Sequence, residues 1–85
     1  MDFYVIIPAH NEGGNIGAVL ETTKKTVAAK KIIVVDDGSR DGTAAEAARH
    51  GAAVLRHTIN LGKGGALRTG CLYAHKKGAE AFVFM

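Results

Sequence analysis

The sequence predicts an α/β fold: a parallel sheet of about four strands with helices on both faces, in the order β-α-β-α-β-α-β. Two observations predict it. Short apolar runs without polar alternation recur between stretches of helical spacing, and strands of that kind are buried on both faces of a sheet. Three of these runs lead into a polar, glycine-rich loop and then a helix, the pattern of parallel strands joined by crossover helices.

The first predicted strand and helix occupy the amino-terminal part of the chain. Phe3–Ile7 is a short apolar run rich in β-branched residues. We expect Pro8 to close this strand, because proline has no N–H to donate to a sheet. From Asn15 onward, apolar residues recur at helical spacing as far as Val27. Asn11 or Asn15 is the candidate cap of this helix.

The second and third strands flank the second helix. Lys31–Val35 is a continuous apolar run and forms the second predicted strand. Thr43 and Glu46 have the spacing of a capping box, which predicts that an alanine-rich helix begins there. We expect Gly51 to end this helix, since glycine is common just past a helix C-terminus. Ala53–His57 forms the third strand.

The last helix and strand complete the pattern. Gly64 or Gly65 opens the third helix, which Gly78 should stop. Ala81–Met85 forms the fourth strand. Right-handed crossovers between these elements would give a Rossmann-like half-fold.

Composition indicates an ordinary globular chain. With 85 residues it is one domain at most, which we assign to residues 1–85. The net charge of +3 comes from scattered basic residues, so we predict no nucleic-acid partner. The one cysteine, Cys71, cannot form an internal disulfide, which favours a reducing compartment such as the cytoplasm. We expect Cys71 on the apolar face of the third helix. No apolar run approaches the roughly 18 residues of a membrane span.

Three polar loops follow the first three strands. They read PAHNEGGN, DDGSRDGT and TINLGKGG. Ligands of open parallel sheets bind beyond the carboxyl ends of the strands. The sequence therefore predicts that the three loops meet at one edge of the sheet and form a ligand site there.

The second loop begins with two adjacent carboxylates. Asp36 and Asp37 can accept hydrogen bonds from a ribose diol or a base N–H, or they can hold local backbone amides. We interpret Asp36 as mainly structural and Asp37 as facing the ligand. On that interpretation Asp37→Ala weakens nucleotide binding with little loss of stability. Ser39, Arg40 and Asp41 fit loop and helix-cap chemistry better than ligand contact.

The first and third loops supply further candidates. Glu12 can bind a base or ribose edge, or it can be a helix N-terminal carboxylate. His10 is more typical of a packed or surface side chain. Glycines around Lys63 allow the backbone to approach a ligand, and Lys63 can neutralise a diphosphate or remain solvated. Arg68 can support the same site or form a structural salt bridge.

Several familiar signatures are missing. The P-loop pattern fails around Lys63, and no G-x-G-x-x-G follows the first strand. No nucleophile elbow is visible, and the histidines have no metal-ligand spacing with one another or with Cys71. After these exclusions, the remaining interpretation is that the three loops bind a sugar nucleotide or a mononucleotide.

Together the segments VIIPAHNEGGNIG, IIVVDDGSRDGT and NLGKGGALRTG resemble the start of family 2 glycosyltransferases, which have the GT-A fold. They are most similar to the polyprenol-phosphate (dolichyl-phosphate) mannose or glucose synthase branch. The resemblance spans essentially the whole chain. It implies roles for six residues. Pro8, Ala9 and Glu12 would line the nucleotide pocket, Asp37 with Asp36 beside it would contact the base or ribose, and Lys63 would lie near the diphosphate. Arg68, a candidate from its position one helical turn beyond the glycines, completes the predicted site residues.

The resemblance also implies an activity, namely sugar transfer from a UDP- or GDP-sugar to an acceptor such as a polyprenyl phosphate or a glycan. A divalent metal, Mg²⁺ or Mn²⁺, would offset the charge of the leaving diphosphate. The family's Asp-x-Asp metal motif is expected directly after the fourth strand, beyond Met85, and the catalytic base later still. We therefore expect these 85 residues to carry the donor half-site but no metal ligand and no catalytic residue, and to be inactive alone.

Other expectations concern setting and alternatives. We expect glycan or cell-envelope biosynthesis in the cytoplasm, at the cytoplasmic face of a membrane if the full-length protein associates with one. The alternative function is a non-catalytic nucleotide-binding or partner-docking module. An uncovered edge after the fourth strand predicts marginal stability or self-association of the 85-residue chain.

Overall fold

Four strands and three α-helices alternate along residues 3–85, which are the residues that the computed structural model describes. The strands are β1 (Phe3–Ala9), β2 (Ile32–Asp37), β3 (Ala53–His57) and β4 (Ala81–Phe84). The helices are α1 (Ile16–Thr23), α2 (Thr43–Arg49) and α3 (Gly62–Lys76). A short 3-10 turn over Ala29–Lys31 precedes β2. The order β-α-β-α-β-α-β is as predicted.

The strands form one parallel sheet with the spatial order β3-β2-β1-β4. Val5 of β1 lies opposite Ile32 on one side and Val83 on the other. β2 is buried along its whole length, because it has a strand on each side and helices above and below. The predicted α/β, Rossmann-like class is confirmed.

Alternate residues of the central strands build two apolar layers. On one face Val5 and Val34 belong to a cluster with residues of α1 and α2, including Leu20 and Ala47. On the other face the neighbouring residues of the same strands pack against α3. The members of this second cluster are Tyr4, Ile6, Ile33, Val35, Ala66 and Ala74, with the half-buried Cys71 against them as predicted.

α3 lies unusually close to the sheet at Gly70. A Cβ at this position would be 2.5 Å from Cγ2 of Ile6 and 3.3 Å from Cγ2 of Val35. The missing side chain therefore lets the helix approach β1 and β2 directly.

Four strand boundaries differ from the prediction. β2 runs from Ile32 to Asp37 and not from Lys31 to Val35, and β4 ends at Phe84 and not at Met85. β1 continues through Pro8 to Ala9, so the expectation that Pro8 closes the strand is wrong. Met85 N–H donates to the carbonyl of Ile6, so Ile6 and, two residues on, Pro8 face the β4 side. β4 ends at Phe84, opposite Ile6, and no strand partner lies opposite Pro8 there. The missing proline N–H therefore costs no ladder bond.

Helix boundaries also differ. α1 ends at Thr23, and Val27 packs against the core from the following turn. Asn15 occupies the N-cap position without a side-chain cap bond. The capping box is wrong, because Thr43 is the first helical residue and its hydroxyl bonds elsewhere. α3 begins at Gly62, two or three residues earlier than the predicted Gly64 or Gly65.

Both predicted helix-stop glycines are confirmed. Gly51 follows α2 and Gly78 follows α3, each with a φ of +86°. That left-handed conformation is accessible to glycine without strain.

The margin of the sheet at β4 is apolar and exposed within residues 3–85. Phe84 is 52% exposed and Met85 is 56% exposed, and Val83 is also open to solvent. β4 pairs only with β1 in the described part of the chain, so its outer edge carries unpaired backbone groups.

Candidate functional site

A pocket of about 340 Å³ lies where β1 and β2 end, and α3 begins beside it. Its walls come from all three loops that the sequence singled out. The lining residues are Pro8, Ala9, His10, Glu12, Asp37, Asn60, Gly62, Lys63, Ala66 and Met85. Five predicted site residues, Pro8, Ala9, Glu12, Asp37 and Lys63, are thus brought together.

Two predicted site residues do not line this pocket. Asp36 is buried beneath the second loop, and Arg68 is exposed on α3. Arg68 lies past the first turn of α3, so its helical position carries it away from Lys63 and the pocket.

Asp37 joins the second loop to the third. Its Oδ1 accepts hydrogen bonds from His57 Nδ1 at 2.7 Å and from the Leu61 amide at 2.8 Å. Its Oδ2 accepts from the Gly62 amide at 2.7 Å. The side chain is 6% exposed. These contacts contradict the expectation that Asp37→Ala costs little stability, because the carboxylate fixes the segment leading into α3.

The pKa of Asp37 follows from the same contacts. Burial raises the pKa, but the hydrogen bonds from His57, Leu61 and Gly62 outweigh burial and hold it below the ordinary value of 3.8. Asp37 is therefore a carboxylate at neutral pH.

His57 extends this network to α3. Its Nε2 lies 2.8 Å from Thr69 Oγ1, which donates to the carbonyl of Gly65 at 3.0 Å. Sequence reasoning assigned no role to His57. The signal that could have found it is the strand register, in which His57 lies directly opposite Asp37.

Asp36 has the contacts of a structural carboxylate. Its Oδ1 accepts from the Ser39 amide at 3.0 Å and so shapes the turn after β2. Its Oδ2 is buried without a hydrogen-bond partner and lies 3.7 Å from Nε of Arg56.

Side chains of the second loop hold the first loop in place. Ser39 Oγ accepts from the Asn11 amide at 2.7 Å, and Asn11 Oδ1 accepts from the Arg40 amide at 2.9 Å. Asn11 has a φ of +52°, a conformation that asparagine tolerates better than most residues. This reciprocal pair of bonds fixes the backbone just before Glu12.

Asp41 and Thr43 continue this brace. Thr43 Oγ1 accepts from the Glu12 amide at 2.9 Å, and Asp41 Oδ2 accepts from the Gly13 amide at 3.1 Å. The hydrogen bond from Thr43 is the main reason that the pKa of Asp41 lies below its ordinary value. Asp41 therefore makes the loop hydrogen bonds predicted for it, and one of them connects the second loop to the first.

Glu12 and Lys63 present opposite charges to the pocket. Glu12 is exposed, and one carboxylate oxygen accepts from Asn15 Nδ2 at 3.4 Å. Lys63 is exposed in the first turn of α3, a turn without acidic residues. The Asp37 carboxylate already accepts from the Gly62 amide at the start of α3, so the exposed Lys63 charge is what favours a further anionic group beside it.

Neither a metal site nor a membrane span is found in residues 3–85. The structure places no group of three or more histidine, cysteine, aspartate or glutamate side chains where they could hold a metal ion. None of its helices combines the length and apolar character that crossing a bilayer requires.

Comparison with known proteins identifies the family. The model of glycosyl transferase family 2 matches residues 4–85. The chain belongs to this family of enzymes. The resemblance carried by the three loop motifs is thereby confirmed.

Relatives and solved structures agree with the family assignment. An uncharacterized protein of Methanocaldococcus jannaschii is 48% identical over 69 residues, which cover 81% of this chain and 28% of the relative. A dolichyl-phosphate beta-glucosyltransferase of Drosophila melanogaster is 36% identical, covering 87% of this chain and 28% of the relative. The chain thus spans little more than a quarter of the length of these relatives.

A solved structure supports the fold. Glucosyl-3-phosphoglycerate synthase from Mycobacterium tuberculosis, in complex with Mn²⁺, UDP and glucosyl-3-phosphoglycerate, is similar over 98% of this chain and 33% of its own length. The TM-score is 0.74 and the sequence identity is 26%. This similarity, with the parallel sheet, supports the predicted GT-A arrangement.

Proposed function

We propose that residues 1–85 form the amino-terminal, donor-binding portion of a family 2 glycosyltransferase that uses a UDP- or GDP-sugar. One observation carries the proposal: five residues that the loop motifs nominated line a single pocket at the carboxyl ends of β1 and β2. The pocket carries two carboxylates, Glu12 and Asp37, and one lysine, Lys63, which suit the ribose and the diphosphate of a nucleotide.

The charged residues of the pocket each have a role in this proposal. Lys63 and the first turn of α3 hold the diphosphate, whereas Glu12 and Asp37 bind the ribose or base. Asp37 has about four lone-pair sites. Three of them are occupied by His57, Leu61 and Gly62. One site on Oδ2 remains for a ligand donor, so Asp37 both builds the loop and offers one acceptor. Pro8 and Ala9 supply an uncharged part of the pocket wall.

The rest of the reaction belongs to groups outside this pocket. We propose a polyprenyl phosphate or a glycan as acceptor, in accord with the name of the Drosophila melanogaster relative, a dolichyl-phosphate beta-glucosyltransferase. A related structure was solved with Mn²⁺ and UDP, which supports a divalent metal in the family. Residues 3–85 do not fit a metal ion, so no metal step is assigned to them. Cytoplasmic placement, at a membrane face for the full-length protein, is part of the same proposal.

Isothermal titration of the 85-residue chain with UDP and GDP tests this proposal. We expect either UDP or GDP to bind. We expect Lys63→Ala to raise the dissociation constant about tenfold, because one charge-assisted contact is worth about 1.5 kcal/mol. Lys25→Ala is the matched control, since Lys25 is an exposed lysine that does not line the pocket. Equal affinities of the two variants, or no binding by the parent chain, would refute the assignment.

An activity measurement on the full-length protein separates the alternative of a non-catalytic binding module, because only a glycosyltransferase should transfer sugar from the nucleotide. The same measurement on the isolated chain tests the half-site proposal. The isolated chain, given a nucleotide sugar and Mn²⁺, should release no sugar. Turnover by the chain alone would show that catalytic groups lie within it and would contradict the half-site proposal.

A further inference from the structure

A second pocket lies on the other side of the pair His10 and Asn60 from the one described above. Its volume is about 680 Å³. Two guanidinium groups line it, those of Arg40 and Arg56, and none of its lining residues is acidic. We call it the arginine pocket. The proposed donor function leaves both arginines unused.

The guanidinium of Arg56 is held in place by the carbonyl of Ser39 and the carboxylate of Asp36. Its Nη2 donates to the carbonyl of Ser39 at 3.2 Å, and its Nε lies 3.7 Å from the buried Oδ2 of Asp36. That oxygen has no hydrogen-bond partner in the described chain. The arginine side chain is nevertheless 61% exposed, so its guanidinium is both oriented by the loop and accessible from the pocket.

Arg40 contributes charge that is not offset. Its backbone amide is fixed by Asn11 Oδ1 at 2.9 Å, and its exposed guanidinium makes no ion pair within residues 3–85. Asp36 offsets one of the two guanidinium charges, so the pocket keeps one net positive charge. An anion placed between the two arginines would meet that charge directly.

The polar groups around the arginines suit a phosphate. Guanidinium groups bind phosphate oxygens through paired N–H donors, better than a lysine does. Asn60 adds a nitrogen donor at the wall shared with the first pocket, where its Nδ2 lies 3.3 Å from the His10 ring nitrogens. His10 itself donates through Nδ1 to the carbonyl of Asp37 at 2.8 Å. Ile59 is the one aliphatic residue in the lining, and most of the other lining residues carry polar or charged side chains.

We propose that the arginine pocket binds the phosphate group of a small soluble phosphomonoester. Its volume lies within the range of about 300 to 1,000 Å³ typical of small-molecule sites. The site does not depend on donor binding, because its two arginines are separate from Lys63 and Glu12.

Titration of ¹⁵N-labelled chain with glycerol 3-phosphate at constant ionic strength tests the proposal by NMR. The reporters are the arginine Nε–H signals and the amides of Gly38 and Ser39. We expect saturable shifts, with a dissociation constant that rises about tenfold when Arg40→Gln and Arg56→Gln are combined, as for the loss of one net charge-assisted contact. Arg49→Gln is the control, since this exposed arginine pairs with Glu46 on α2.

Other results would overturn the proposal. Shifts that rise linearly without saturation, or that are the same in the double variant, would exclude a site. Shifts confined to the amides of Lys63 and Ala66 would place the anion in the first pocket instead. Farnesyl phosphate that binds more tightly than glycerol 3-phosphate would exclude a soluble ligand. Arg40→Gln alone is the second variant, because the Arg40 side chain makes no hydrogen bond or ion pair within residues 3–85 and its loss should not unfold the chain. An unchanged dissociation constant in this folded variant would also contradict the proposal.

Discussion

Removal of the Asp37 carboxylate should destabilise the fold strongly. In Asp37→Ala the Leu61 amide loses its acceptor but regains water, because its loop is exposed, at a cost of about 1 kcal/mol. The Gly62 amide keeps Asn60 Oδ1 as an acceptor at 2.8 Å, so its loss is only about 0.5 kcal/mol. His57, with a side chain only 11% exposed, loses a charge-assisted bond worth about 1.5 kcal/mol. The sum is about 3 kcal/mol. A chain of 85 residues has about 4 to 13 kcal/mol of stability in total.

Urea denaturation measures this loss. With a slope of about 1 kcal/mol per molar urea for a small domain, the midpoint of Asp37→Ala should fall by about 3 M. Asp37→Asn should lose about 2 kcal/mol, because the amide keeps one acceptor oxygen but turns an N–H group toward a donor. A loss below 0.5 kcal/mol in Asp37→Ala would refute the network, since it would mean that the three hydrogen bonds contribute nothing net.

The pH dependence provides an independent check on Asp37. Its pKa is lower in the folded chain than the ordinary 3.8, so its ionised form stabilises the fold fully above pH 3.8. That contribution is lost as the pH falls through the lower, folded pKa. The stability difference between the parent chain and Asp37→Asn should therefore be smaller at pH 3 than at pH 7. A difference that is unchanged or larger at pH 3 would contradict the assignment of this pKa.

The remaining predictions concern packing and the open edge. Gly70→Ala should lower the free energy of unfolding by about 1 to 3 kcal/mol, since its Cβ would clash with Ile6. Gly64→Ala, on the same helix with nothing within 4 Å, should instead raise it by about 0.5 kcal/mol in the same thermal melts; equal effects of the two would contradict the close approach at Gly70. The 85-residue chain should sediment with a weight that rises with concentration, and Phe84→Lys should reduce that rise by charging the exposed edge. If the chain is a monomer at every concentration, the exposed edge of β4 does not mediate self-association.

Local sequence pattern was enough to predict most of the fold. The strand Ala53–His57 matches its predicted bounds, and the glycines at 51 and 78 stop their helices as expected. Such features depend on the residue itself or on its immediate neighbours. The family of the chain was also accessible, because three motifs in order carry more information than any one of them.

Long-range pairing explains what the sequence did not show. Asp36 and Asp37 were expected beyond the strand, but they lie within β2 because Arg56 and His57 of β3 continue the ladder opposite them. Nothing in the local sequence reveals a partner some 20 residues away. The same limit hid the brace between the first two loops, in which Ser39 and Thr43 bind amides 28 and 31 residues distant in sequence.

Asp37 has two roles, in the fold and in the proposed nucleotide site, and these link the stability of the chain to its nucleotide affinity. The loop that Asp37 fixes leads directly into Lys63, the residue proposed to hold the diphosphate. Loss of Asp37 should therefore weaken both folding and nucleotide affinity, whereas Lys63→Ala should weaken affinity alone. A nucleotide that binds only the folded chain adds stability that grows with its concentration relative to the dissociation constant. At saturating nucleotide the parent chain should gain stability and Lys63→Ala should gain less, although their melting temperatures without nucleotide are the same. Asp37→Ala should start lower and also gain less, and that combination distinguishes a residue that builds the site from one that only contacts the ligand.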